Sequence, residues 1–125
     1  MRPASCDKRE RKMKNTTMLK KNYEFRRVLT KGKYYGSVNI EAYILDNNKN
    51  ENKLGIAISK KVANSVNRNR IKRLIRENYR LMEDNMMMGK SMVILWKKSA
   101  SIDKATFYNV KNDITHILGK ANLLK

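Results

Sequence analysis

Between Lys60 and Arg76 the chain reads KKVANSVNRNRIKRLIR, seventeen residues with seven Lys or Arg and no Asp or Glu. Within it Ile71, Leu74 and Ile75, continued by Tyr79 and Met82, recur at the 3.6-residue period. Residues 68–82 are therefore expected to form an amphipathic helix with a buried stripe. Asn69, Lys72, Arg73, Arg76 and Arg80 fall on the opposite side, with Arg68 and Arg70 on its two edges. Such a segment constrains the fold: it needs an apolar partner on one side and must leave a cationic face uncovered on the other. An ordinary solvated helix face mixes signs, because Glu–Lys pairs four apart add ~0.2–0.5 kcal/mol each. Here the first acid is Glu77. Arg68, Arg70 and Lys72 are also expected at the helix N-terminus, where each cation opposes the macrodipole by ~0.3–1 kcal/mol. Phosphates docking at that end offset both penalties. Asn64, Asn67 and Asn69 add neutral donors and acceptors.

The whole chain shares this bias. Its 125 residues hold 29 Lys or Arg against 11 Asp or Glu, a net charge of +18. That length makes one domain, and a surplus of this size repels itself unless an anion relieves it. Nucleic acid is the expected anion. A membrane surface would favour a long basic helix carrying Trp or Phe on its apolar face. Trp96 instead closes the run MVILW, which reads as a buried strand, and no apolar run approaches the ~18 residues of a membrane span. Cys6 is the single cysteine, so no internal disulfide forms and structural zinc is disfavoured. Residues 1–14 are charged with no apolar stretch behind them, unlike a secretory signal. A cytoplasmic protein is expected.

Residues 1–18, which hold the only proline, Pro3, read as a disordered basic arm, and 19–125 as a single domain that binds RNA or DNA. Tyr23–Lys31 is expected as a short helix capped by Asn22, with Phe25, Val28 and Leu29 on one face and Gly32 as its C′ stop. Tyr35–Leu45 alternates as a strand, or as two short strands broken near Gly36, with Val38, Ile40, Ala42 and Ile44 on one face. Lys53–Lys60 makes another strand whose Gly55, Ala57 and Ser59 face is small enough for close approach. Ser91–Lys97 reads as a central strand. Ser101 or Asp103 is expected to cap a last helix with a stripe of Phe107, Val110, Ile114, Ile117 and Leu118, ended by Gly119. The order is that of an α+β sandwich with one mixed sheet.

Asn67-Arg68-Asn69-Arg70-Ile71-Lys72-Arg73-Leu74-Ile75-Arg76 resembles the RNR signature of the bacterial ribonuclease P protein family. Ser59-Lys60-Lys61-Val62-Ala63-Asn64 is similar to that family's strand-to-loop entry, and Leu19-Lys20-Lys21-Asn22-Tyr23-Glu24-Phe25 to its first helix. The resemblance covers residues 18–124. It implies a single-domain fold like the second domain of ribosomal protein S5, with a left-handed β-α-β crossover at the basic helix, against the usual right-handed preference. It also implies a role: partner of ribonuclease P RNA and of precursor tRNA, assisting endonucleolytic removal of the 5′ leader. No obligate protein partner is implied.

The residues then sort by expected contact. Lys60, Lys61, Arg68, Asn69, Arg70, Lys72, Arg73 and Arg76 are expected on the RNA subunit and its phosphates, with Arg68, Asn69 and Lys72 also facing the leader. By resemblance, Phe25, Leu29 and Tyr43 line a cleft for the single-stranded leader, where aromatic platforms hold bases. For Phe25 core packing is the competing role, and Leu29 stands where the family frequently has an aromatic residue. No catalytic or metal-binding set is expected in the protein. His116 has no evident partner, Glu83 and Asp84 point apart on a helix, and Glu41 is alone. The resemblance implies that the RNA carries the catalysis and holds the magnesium. A ribosomal protein or general RNA chaperone is the alternative binding function, and a metal-dependent nuclease the alternative enzyme.

Overall fold

The computed structural model describes residues 16–19, 21–48 and 51–123. Its elements run β1 (Thr16–Met18), α1 (Asn22–Lys31), β2 (Lys33–Gly36), β3 (Ile40–Asp46), β4 (Asn52–Ala57), α2 (Ser65–Met82), β5 (Lys90–Trp96) and α3 (Phe107–Lys120), with 3-10 turns at Glu83–Asn85 and Ile102–Lys104. One five-stranded sheet has the order β1-β4-β5-β3-β2. β1 and β5 both pair in parallel with β4, while β3 pairs antiparallel with β5 and β2. α2 joins the parallel neighbours β4 and β5, so the basic helix is itself the crossover.

Strand alternation divides the sheet into two faces. Ile40, Ala42 and Ile44 of β3, Leu54 of β4, and Met92, Ile94 and Trp96 of β5 pack with Ile71, Ile75 and Tyr79 of α2 and Val110, Ile114, Ile117 and Leu118 of α3. The other face carries Val93, Tyr43, Leu45, Ala57 and Leu95, and α1 lays Val28 and Phe25 against it. β5 is buried on both sides, as expected of its continuous apolar run. Buried polar groups stitch the ends together. Asn52 accepts from the Lys90 N–H at 3.0 Å and donates to the Met87 carbonyl at 3.1 Å. Asp113 of α3 accepts from the Ser37 hydroxyl at 2.8 Å and the Asn39 N–H at 3.3 Å.

Several local expectations are corrected. Thr16–Met18, expected inside the disordered arm, is a strand in register with Asn52–Leu54. Tyr79 of α2 shares a 3.0 Å hydrogen bond with the Thr16 hydroxyl, and burial pushes the Tyr79 hydroxyl up to about 12. The rest of the arm, residues 1–15, lies outside the described residues. Of the two expectations for Tyr35–Leu45 the broken one holds, with β2 ending at Gly36, but Val38 sits in the break 78% exposed rather than beside Ile40. Gly32 does not take the left-handed C′ conformation (φ −74°). It is needed for close approach: a Cβ there would lie 2.4 Å from the Val28 carbonyl oxygen. β4 stops at Ala57, short of Lys60.

Helix α2 begins at Ser65, one turn before expected. The Asn64 side chain caps it by accepting from the Asn67 N–H at 2.9 Å. Arg70 and Lys72 therefore lie beyond the first turn, and the expected opposition to the macrodipole is weakened, since that effect fades within a turn. Ser101 caps only the short 3-10 turn, and Thr106 caps α3. Phe107 is 44% exposed and outside the buried stripe. Gly119 lies inside the last turn. The stop is at Asn122 (φ 58°), whose N–H reaches the Gly119 carbonyl while the Leu123 N–H reaches that of Leu118. That is a Schellman motif with Asn in place of Gly.

Candidate nucleic-acid interface

The basic helix supplies one surface. Asn69, Arg73 and Arg76 are exposed and Lys72 is half-buried. Lys60 and Lys61 project from the turn between β4 and α2, which is closed by the Lys61 N–H on the Ser59 hydroxyl and the Val62 N–H on the Ser59 carbonyl. Two arginines also brace the fold. Arg68 donates to the Ala63 carbonyl at 2.9 Å, holding the turn against the helix. Arg70 donates to the Ala105 carbonyl at 2.7 Å, on the flank facing α3. Among the described residues none of these cations has an ion pair with a carboxylate, whereas Arg80 pairs with Glu77 at 3.1 Å. Arg80 is thus removed from the free cationic face.

The second surface lies where α1 crosses the sheet, with Phe25 and Tyr43 packed on one small core cluster. The Phe25 ring lies across β4 at Gly55, where a Cβ would come within 2.6 Å of it. Only a glycine admits the ring there, which realises the small face expected of this strand. Phe25 is half-buried, so core packing takes part of the ring and not all of it. Leu29, one turn on, is 37% exposed. Tyr43 stands on the same sheet face, with Tyr34 of β2 edge-on to it at 5.4 Å between ring centroids. The structure therefore brings Phe25 and Tyr43 onto one side of the sheet, while Leu29 stays exposed on α1.

Sequence reasoning missed Tyr34. Its hydroxyl donates to Glu41 at 2.9 Å, and that bond is the main reason its pKa is raised. The alternation of β2 and β3 does place Tyr34 opposite Tyr43 once the break between the strands is known. β4 links the two surfaces, since Phe25 rests on Gly55, Ala57 follows on the same face, and the chain runs on through Ser59–Val62 into α2.

Among the described residues no three His, Cys, Asp or Glu side chains converge as metal ligands. Likewise no described helix is long and apolar enough to cross a membrane. His116 lies exposed on α3, and its neighbour Asp113 is engaged by Ser37 and Asn39.

A family model described as Ribonuclease P matches residues 13–122. The chain belongs to the ribonuclease P protein family. The ribonuclease P protein component of Natranaerobius thermophilus is 40% identical over 113 residues, covering 90% of this chain and 96% of that protein. That of Clostridium kluyveri is 39% identical over 109 residues, covering 86% and 96%. The solved Staphylococcus aureus RNase P protein superposes with a TM-score of 0.77 at 30% identity, covering 86% of this chain and 97% of that one. As a ribonuclease P protein, the chain is an accessory subunit of a ribonucleoprotein endoribonuclease that processes tRNA, and its partner is the ribonuclease P RNA.

Proposed function

We propose that the two surfaces divide the work of this subunit. The acid-free face of α2 and the Lys60–Lys61 turn hold the ribonuclease P RNA. The surface where α1 crosses the sheet holds the single-stranded 5′ leader of precursor tRNA. The observation that carries this reading is the half-buried Phe25 ring on Gly55, on the same sheet face as the Tyr43–Tyr34 ring pair, with β4 running on from Gly55 toward the cationic helix. Stacking on aromatic faces next to a cationic track is how single strands are held without sequence readout. Arg68, Asn69 and Lys72 lie early in α2, where the leader leaves that surface for the RNA subunit. Magnesium is held mainly by the RNA, and the protein acts in the cytoplasm by raising affinity for the precursor.

The test is cleavage of a precursor tRNA by a bacterial ribonuclease P RNA at low magnesium, with and without the protein. The protein is expected to restore cleavage that the RNA alone performs poorly, and to cut nothing by itself. A general RNA chaperone would not raise cleavage of the precursor selectively. Cleavage by RNA-free protein, abolished by Glu41→Gln or His116→Ala, would establish the nuclease instead.

A further inference from the structure

A third group of exposed rings belongs to neither surface. At the start of α3 Phe107 is 44% and Tyr108 70% exposed, in a helix whose first turn holds no acid. On the facing flank of α2, Asn78 Nδ2 reaches the Phe107 carbonyl at 3.4 Å, and Leu81, one turn further along that flank, is 57% exposed. Apolar exposure concentrated in this way marks a contact surface.

The surrounding charge identifies what covers it. Arg70, from the acid-free run of α2, lays its guanidinium on the Ala105 carbonyl at 2.7 Å, two residues before Phe107. Lys104 and Lys111 flank the rings, both exposed and, among the described residues, without an ion-pair partner. Of the nearby acids, Asp103 is exposed, Asp113 is buried on Ser37 and Asn39, and Glu77, on the α2 flank of Arg70 and Leu81, is paired with Arg80 at 3.1 Å. A second copy of this chain is disfavoured as the occupant, because two such patches set cation against cation. Rings flanked by Lys104 and Lys111 and next to the basic run of α2 fit an unpaired nucleotide.

We propose that Tyr108, with Phe107 beside it, is a stacking platform for an unpaired base of the ribonuclease P RNA. It extends the α2 interface around Arg70 onto the start of α3, with Lys104 and Lys111 meeting the adjoining phosphates. This rests on the assignment of α2 to the RNA subunit. The experiment titrates full-length wild type, Tyr108→Ala, Tyr108→Phe and Lys111→Gln against a bacterial ribonuclease P RNA transcript over a range of salt, with nucleotide-resolution footprinting of each complex. Tyr108→Ala is expected to weaken binding about 5- to 140-fold, the scale of one stacked base. It should leave the salt slope unchanged and uncover a discrete unpaired nucleotide while the rest of the footprint persists. Tyr108→Phe keeps the ring and should bind as wild type, and Lys111→Gln should reduce the salt slope by about one unit or less. Wild-type affinity and footprint for Tyr108→Ala would overturn the platform alone, as would equal losses in the Ala and Phe variants. A change confined to sedimentation would make the patch a self-association surface and overturn it too. Failure of wild type to bind the RNA would overturn the α2 assignment, and the platform with it.

Discussion

At the scale of single residues, Phe25 shows how one ring serves the core and a ligand together. Its spacing with Val28 marks the face that α1 turns to the sheet, and that much is legible in the sequence, whereas Leu29 stays exposed. That the ring rests on Gly55 depends on where α1 crosses the sheet, which no local pattern specifies. Phe25→Leu separates the roles, because Leu still covers Gly55 but offers no flat face to a base. The variant is expected to bind precursor tRNA in the holoenzyme more weakly by about 1–3 kcal/mol and leaderless tRNA unchanged. Paired affinity titrations on the two tRNAs check this, and equal losses on both would assign Phe25 to packing alone. Tyr34 illustrates the limit of residue-level reading. It earns its place beside Tyr43 only through the register of β2 on β3, and a tyrosine at the rim of an edge strand carries no signal of its own.

At the scale of elements, periodicity identified what packing enforces. The stripe Ile71, Leu74, Ile75 and Tyr79, the alternation in β3 and the unbroken apolar run of β5 all survive in the structure because each buries a face. Boundaries depend on side-chain-to-backbone bonds that periodicity does not register. Val66 is 73% exposed and lies off the apolar stripe, so Asn64–Asn67 has the composition of a loop, yet Asn64 is the residue that starts α2. β1 escaped detection for a different reason. It is three residues long, and its parallel partner begins at Asn52, far along the chain. Asn64→Ala tests the cap. Loss of its bond to the Asn67 N–H should cost about 1 kcal/mol of stability, read as a lower midpoint in denaturant at unchanged m-value. RNA affinity should fall as well, since the cap fixes the first turn of the helix, from which Arg68 reaches back to the Ala63 carbonyl beside the Lys60–Lys61 turn. A stability loss with RNA binding untouched would separate that turn from the interface.

At the scale of the whole molecule, the net charge of +18 works against the fold that displays it. α2 stays helical because Ile71, Ile75 and Tyr79 are buried, while Arg73 and Arg76 gather beside Lys72 on its outer side with no carboxylate in ion-pair reach among the described residues. Unfolding disperses those cations, so repulsion favours the unfolded chain, and any anion bound to the native array shifts the balance back. A ligand at a hundred times its Kd contributes about 2.7 kcal/mol when only the native state binds it, a large share of the ~5–15 kcal/mol by which domains are stable. Sulfate or a short single-stranded oligonucleotide is therefore expected to raise the Tm by several degrees above its value in chloride at equal ionic strength. The comparison is made at low millimolar salt, where both salts screen surface charge alike and exclusion of sulfate from the surface is negligible, so only a docked anion adds binding energy. The double variant Arg73→Ala/Arg76→Ala carries the argument to its end. Removing two cations should raise the Tm in low-salt chloride by relieving repulsion, and should shrink the further gain from the oligonucleotide. Thermal unfolding of both proteins in the three solutions measures each term. Identical curves in sulfate and chloride would show that screening alone stabilises the fold and that the array on α2 binds no anion until the RNA subunit is present.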